Sequence, residues 1–128
     1  MCAQKYVIKR ISPPEFINKV QPDYYEVTVR LNQAPENDWI KLFREPSSYK
    51  VNEVYPKHLD INGDRITWRT IEMKVKSNVE ELDNYIEQAN EKYNRLLLDR
   101  ENKQKKEEER QTKEKEELGK LSEKFKDL

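Results

Sequence analysis

Leu59-Asp60-Ile61-Asn62-Gly63-Asp64-Arg65-Ile66-Thr67-Trp68 is the stretch that decides the fold class. Apolar and polar residues alternate on both sides of Asn62-Gly63, and Asn-Gly supplies the two positive-φ residues of a type I′ turn. The stretch therefore predicts a β-hairpin. After Trp68 the alternation slips, with Ile71, Met73 and Val75 on the other parity. That predicts either a bulge near Arg69 and Thr70 or a strand buried on both faces.

Upstream of the hairpin, Tyr25, Val27, Val29 and Leu31 alternate with Tyr24, Glu26, Thr28 and Arg30, the period of a strand with one buried and one wet face. Tyr6 to Ile11 reads as a weaker strand, ended by Pro13 and Pro14, which cannot donate to a ladder. Between these strands and the hairpin, Trp39, Leu42 and Phe43 share a helical face behind Pro35, Glu36 and Asp38, which suit a first turn, and Pro46 stops the run. This predicts a helix over 35–45. Residues 46–57 read as a loop pinned by Tyr49, Val51 and Tyr55.

Downstream, Ser77 or Asn78 is placed to cap a helix, with Glu80 or Glu81 completing a capping box. Val79, Leu82, Ile86, Ala89, Tyr93 and Leu96 then recur at alternating spacings of three and four, which puts them on one stripe. That stripe is expected to pack on the sheet of its own domain. From Asp99 to Glu117 no residue is apolar and 15 of 19 are charged, 7 positive and 8 negative. Glu101 with Lys105, Lys103 with Glu107, Glu109 with Lys113, Arg110 with Glu114 and Lys113 with Glu117 stand at helical spacing. Each such pair adds about 0.2–0.5 kcal/mol, so a solvated helix is favoured over disorder. The heptad register carried forward meets Arg100, Lys103, Glu107, Arg110, Glu114 and Glu117, poor residues for a coiled-coil seam, so this stretch is not expected to self-associate. Leu118, Leu121, Phe125 and Leu128 restore the apolar spacing beyond it.

The expected architecture is α+β: a small, mainly antiparallel sheet of about four strands in the order β-β-α-β-β-α, covered by the short helix and the start of the long one. A globular domain over 1–98 would be followed by a charged helical arm over 99–128. The 128 residues suit one domain, and 25 basic against 25 acidic residues cancel. Only 34% of residues are hydrophobic and 39% are charged, against about 45–50% and 25% in an ordinary globular domain. The charge-dense stretch accounts for much of that deficit. The Lys, Glu, Asn and Tyr bias is similar to that of proteins of low-GC bacteria and their mobile elements.

Several function classes are disfavoured by inventory. Cysteine and histidine occur once each, as Cys2 and His58, too few within one chain for a disulfide or a structural zinc site. Cys2, beside the first Met, offers at most a minor redox or lipid role. Gly63 and Gly119 are the only glycines, so no phosphate-cradling loop or dinucleotide turn is present. No metal or cofactor is expected. Lys5, Lys9 and Arg10 interrupt the first apolar letters and no run approaches a membrane span, so a cytoplasmic location and no membrane partner are expected.

The candidate sites are then few. Leu118, Leu121, Phe125 and Leu128 have no evident partner and form a candidate docking surface for another protein or a second copy. Arg30, Arg65 and Arg69, with Thr28 and Thr67, would share the outer sheet face if their strands are neighbours, a candidate nucleic-acid face. Acidic residues alternate with the basic ones, which favours an ordinary solvated surface. His58, with Glu53 and Asp60 nearby, is the obvious general acid or base, yet an exposed histidine with acidic neighbours is commonplace. Trp39 and Trp68 read as core. The expected function is a small non-enzymatic interaction or adaptor protein, with nucleic-acid binding as the alternative.

Overall fold

The computed structural model describes residues 6–128; Cys2 lies outside the described residues. The fold is α+β. Four strands, β1 (Glu15–Gln21), β2 (Tyr24–Arg30), β3 (Asp60–Asn62) and β4 (Arg65–Thr70), form one antiparallel sheet in the order β1-β2-β4-β3, with helix α1 (Asn37–Phe43) between β2 and β3 and helix α2 (Val75–Lys124) last. The chain divides into two compact units, Met1–Asn94 and Arg95–Leu128.

Strand β2 lies between β1 and β4, and its alternation has the predicted consequence on the buried face. Val27 and Val29 stand opposite Trp68 and Ile66 on β4, and all four are buried. Glu26, Thr28 and Arg30, opposite Arg69, Thr67 and Arg65, occupy the other face, but this face is not uniformly wet as expected: Thr28 is 2% exposed and donates to the Ile66 carbonyl at 3.2 Å. The register runs without interruption from Tyr25↔Thr70 to Arg30↔Arg65, and β4 buries only Ile66, Trp68 and Thr70 on one face, so neither the bulge near Arg69 and Thr70 nor the strand buried on both faces is formed. The parity change has another cause: β4 stops at Thr70, and a 3-10 turn over Glu72–Lys74 leads into α2. Met73 is thereby left 90% exposed rather than buried in a strand.

The hairpin forms, but its turn is not the expected type. Asn62 pairs with Arg65, so Gly63 and Asp64 are the central residues, and of these only Gly63 has positive φ, at +60°. Glycine first, followed by a residue of negative φ, matches type II′.

The first strand is not Tyr6–Ile11. That segment is extended, with only Arg10 bridging Leu31, and its backbone is satisfied largely by asparagine side chains. Asn90 Oδ1 accepts from the Ile8 amide at 3.0 Å while its Nδ2 donates to the Ile8 carbonyl at 2.8 Å. Asn94 does the same for Tyr6, at 2.8 and 2.9 Å. Asn32 accepts from the Lys9 amide and donates to the Val7 carbonyl, both at 2.9 Å. Two side-chain amides on successive turns of α2 thus stand in for a neighbouring strand. The true first strand is β1, an edge strand with no buried residue. It joins β2 through Pro22 and Asp23, and Asp23 takes φ +60°. Proline first and positive φ second is the type II pattern, whose twist mismatches a hairpin, and the β1–β2 register shifts twice along the strand.

Ile8, Leu31, Trp39, Phe43, Val54 and Leu59 complete the core with Leu82, Tyr85, Ile86, Ala89 and Tyr93 of α2, all at most 4% exposed. The apolar stripe of α2 therefore packs within its own unit through Tyr93. The predicted cap at Ser77 or Asn78 is not formed, because the helix begins earlier, at Val75. Asn78 is buried instead and accepts from Thr70 Oγ1 at 2.6 Å. In the 46–57 loop the anchor is Val54, fully buried, whereas Tyr49 and Val51 are 54% and 76% exposed.

Candidate functional site

Three surfaces answer to the sequence expectations. On the outer sheet face, β2 and β4 are neighbours, so Arg30, Arg65 and Arg69 do share one side, with Arg30 directly opposite Arg65. They are not a cationic stripe. Arg69 lies 3.6 Å from Glu26 and Arg30 lies 3.6 Å from Asp64. Glu15 stands opposite Thr28, and Asp60 opposite Thr67. Four carboxylates thus surround three guanidinium groups, whereas tracking a phosphate backbone requires an excess of positive charge.

The second surface is a cleft of about 360 Å³ beside β4, lined by Tyr24, Glu26, Glu53, His58, Asp60, Thr67, Trp68 and Arg69. Its origin is local. Strand β3 pairs with β4 only from Asn62 back to Asp60, which faces Thr67. Two residues further, the register would set His58 against Arg69. Pro56–His58 instead forms a 3-10 turn, with Pro56 in its first turn, and the partner strand is lost. The Arg44 guanidinium holds that turn in place, donating from Nη1 to the carbonyls of Pro56, Lys57 and Leu59 at 3.0, 3.3 and 3.1 Å. The His58 ring meets Tyr55 edge to face at 5.1 Å. Among the described residues no side chain hydrogen-bonds its imidazole.

Glu53 is the most constrained group of the cleft. Lys74 Nζ approaches one carboxylate oxygen to 2.6 Å and Asn78 Nδ2 the other to 3.4 Å. The Lys74 hydrogen bond holds the Glu53 carboxyl below the usual glutamate value, against the opposing effect of burial. Asp60 is exposed, and among the described residues it makes no ion pair. No group of three or more His, Cys, Asp or Glu side chains among the described residues could hold a metal ion. The indole N–H of Trp68 is buried with no hydrogen-bond partner among the described residues, whereas that of Trp39 donates to Asn90 Oδ1 at 2.9 Å.

The third surface belongs to the second unit. Leu118, Leu121, Phe125 and Leu128 are 64%, 47%, 55% and 99% exposed. Helix α2 runs through Lys124, so the first two sit on a helix one turn apart, and Phe125 begins the terminal turn. In the charged stretch before them, Glu101 and Lys105 close to 3.3 Å as spacing predicts, while Arg110 turns back to Glu107 at 2.5 Å rather than forward to Glu114.

Sequence reasoning brought His58, Glu53 and Asp60 into one neighbourhood. It missed Tyr24, Glu26 and Arg69 as members of the same cleft, because they enter only through the β2–β4 register. No helix among the described residues is long and apolar enough to cross a membrane. The chain matches no known protein family, no curated protein and no solved structure.

Proposed function

We propose that this chain is a small, non-enzymatic adaptor of the bacterial cytoplasm. In this reading the α+β unit recognises one partner, and the helical arm carries the C-terminal cluster to a second protein or to another copy of the chain, as a short coiled coil. The observation that supports it is the exposure of Leu118, Leu121, Phe125 and Leu128 after a stretch with no apolar residue. Burying such a side chain on a partner contributes up to about 1.5–3 kcal/mol, so leaving four of them in water favours association.

The test is the double variant L121D/F125D in the full chain, measured for mass in solution across a concentration series and for capture of host proteins. Loss of a dimer, or of a specific captured protein, with an unchanged unfolding midpoint supports the reading. Equal mass and equal capture in wild type and variant would sink it. The outer sheet face offers the nucleic-acid alternative only the Arg30–Arg65 neighbour pair, and its surrounding carboxylates speak against that reading.

A further inference from the structure

We infer that the cleft beside β4 receives the cationic side chain, arginine or lysine, of an extended segment of a partner protein. The inference deepens the adaptor reading and rests on its first half, recognition of a partner by the α+β unit.

Charge is the first support. Glu26, Glu53 and Asp60 line the cleft with the guanidinium of Arg69, and the Lys74 ammonium reaches Glu53, so two cations face three carboxylates and one negative charge is left over. These carboxylates are not equally available. Glu53 is engaged by Lys74 and Asn78, and Glu26 shares its charge with Arg69. Asp60 has no ion-pair partner among the described residues and is exposed at the rim. A guanidinium or ammonium group entering the cleft would supply the missing partner, in a charge-assisted hydrogen bond. Tyr24 and His58 offer ring surfaces beside it, suited to the aliphatic stem and to a cation.

Backbone is the second support, and it is independent of charge. In an antiparallel ladder, residues alternate in the direction of their peptide groups. Asn62 and Arg65 close a two-residue hairpin, so Arg65 and Thr67 direct their peptide groups toward β3. Arg69 follows in the same phase, but β3 has ended and the chain at His58 is in a 3-10 turn. The Arg69 N–H and C=O therefore face the cleft as a single open rung. An extended peptide can complete that rung while its side chain turns to Asp60, the mode by which peptides add to sheet edges. Size is compatible: at about 360 Å³ the cleft has room for one arginine or lysine side chain.

The test uses the isotopically labelled full chain titrated with an acetylated, amidated pentapeptide, Ala-Thr-Arg-Val-Ala, and with its citrulline and glutamate analogues. The arginine peptide should shift the backbone amides of His58, Asp60 and Arg69. Its affinity should fall at least tenfold when citrulline replaces arginine and at least tenfold in the D60N variant, whose spectrum shows whether the fold is kept. The inference is overturned if those amides do not move at millimolar peptide, if citrulline binds as tightly as arginine, if the D60N affinity is unchanged, or if the glutamate peptide binds best. The L121D/F125D variant should bind the arginine peptide like wild type, so failure of the C-terminal docking and failure of the cleft are read separately.

Discussion

Replacing Asn90 by alanine tests whether side-chain amides carry the binding of the N-terminal segment to α2. Asn90 makes three hydrogen bonds: it accepts from the Ile8 amide and from the Trp39 indole, and it donates to the Ile8 carbonyl. Ile8 and Trp39 are 1% and 0% exposed, so water cannot easily replace what N90A removes. A buried polar group left without a partner costs about 1–3 kcal/mol. Three such groups, with partial relaxation and an offset of about 0.5 kcal/mol from alanine's better helix propensity, give an expected loss of about 2–4 kcal/mol. For a unit of this size that lowers the melting temperature by roughly 10–25 °C. Urea unfolding followed by tryptophan fluorescence measures it, with N102A in the charged stretch as the control expected to change stability by less than about 0.5 kcal/mol. A double-mutant cycle of N90A with W39F should show about 1 kcal/mol of coupling, since the two residues share a bond. The N90D variant should regain stability as pH falls, because only a protonated carboxyl can donate to the Ile8 carbonyl. An N90A loss below about 0.5 kcal/mol, with the slope of the unfolding curve unchanged, would refute the reasoning and return the segment to simple packing of Ile8.

Other expectations follow from single contacts. Glu53 is held below its ordinary value by Lys74, so its contribution is present above the unfolded glutamate pKa and is lost as pH falls through the folded value. The Lys74 side chain is 53% exposed, so E53Q should cost only about 0.5 kcal/mol at pH 7 and should flatten the acid limb of a stability profile. Tyr93 donates to the Glu36 carboxylate, and that bond with burial pushes its phenol up to about 12. Its stabilisation is complete below the unfolded tyrosine value near 10 and is lost as pH rises toward about 12, a fall that should be absent in Y93F and visible beside phenolate absorbance. G63A meets no atom within 4 Å, so any loss comes from the backbone at φ +60°, about 1 kcal/mol by urea unfolding. D23G, at the same φ in the other hairpin, should be neutral or stabilising by up to about 1 kcal/mol.

What was legible in the sequence follows the physics of one buried face. The β2 alternation, the hairpin, α1 and the stripe from Val79 to Tyr93 each set an apolar side toward the core, and periodicity reports that pattern directly. β1 was not legible, because both its faces are exposed and its register shifts twice, so no period survives. Tyr6–Ile11 misled for the opposite reason: it has the alternation of a strand, with Ile8 buried, but its ladder partners are amides of Asn32, Asn90 and Asn94. The available signal was Asn90 and Asn94, two amides at i and i+4 beside an apolar stripe. The cleft was half legible for a related reason. His58, Glu53 and Asp60 are close in sequence, whereas Arg69, Glu26 and Tyr24 arrive through strand pairing, which alternation alone leaves open by whole two-residue steps. The same limit governs charge. Net neutrality over 25 basic and 25 acidic residues conceals two different arrangements. Between 99 and 117 opposite charges neighbour one another along a helix and neutralise locally, whereas in the cleft Arg69 and Lys74 answer Glu26 and Glu53 and leave Asp60 over. Only the second leaves a local field for a ligand to satisfy, and that imbalance exists only once the β2–β4 register is fixed.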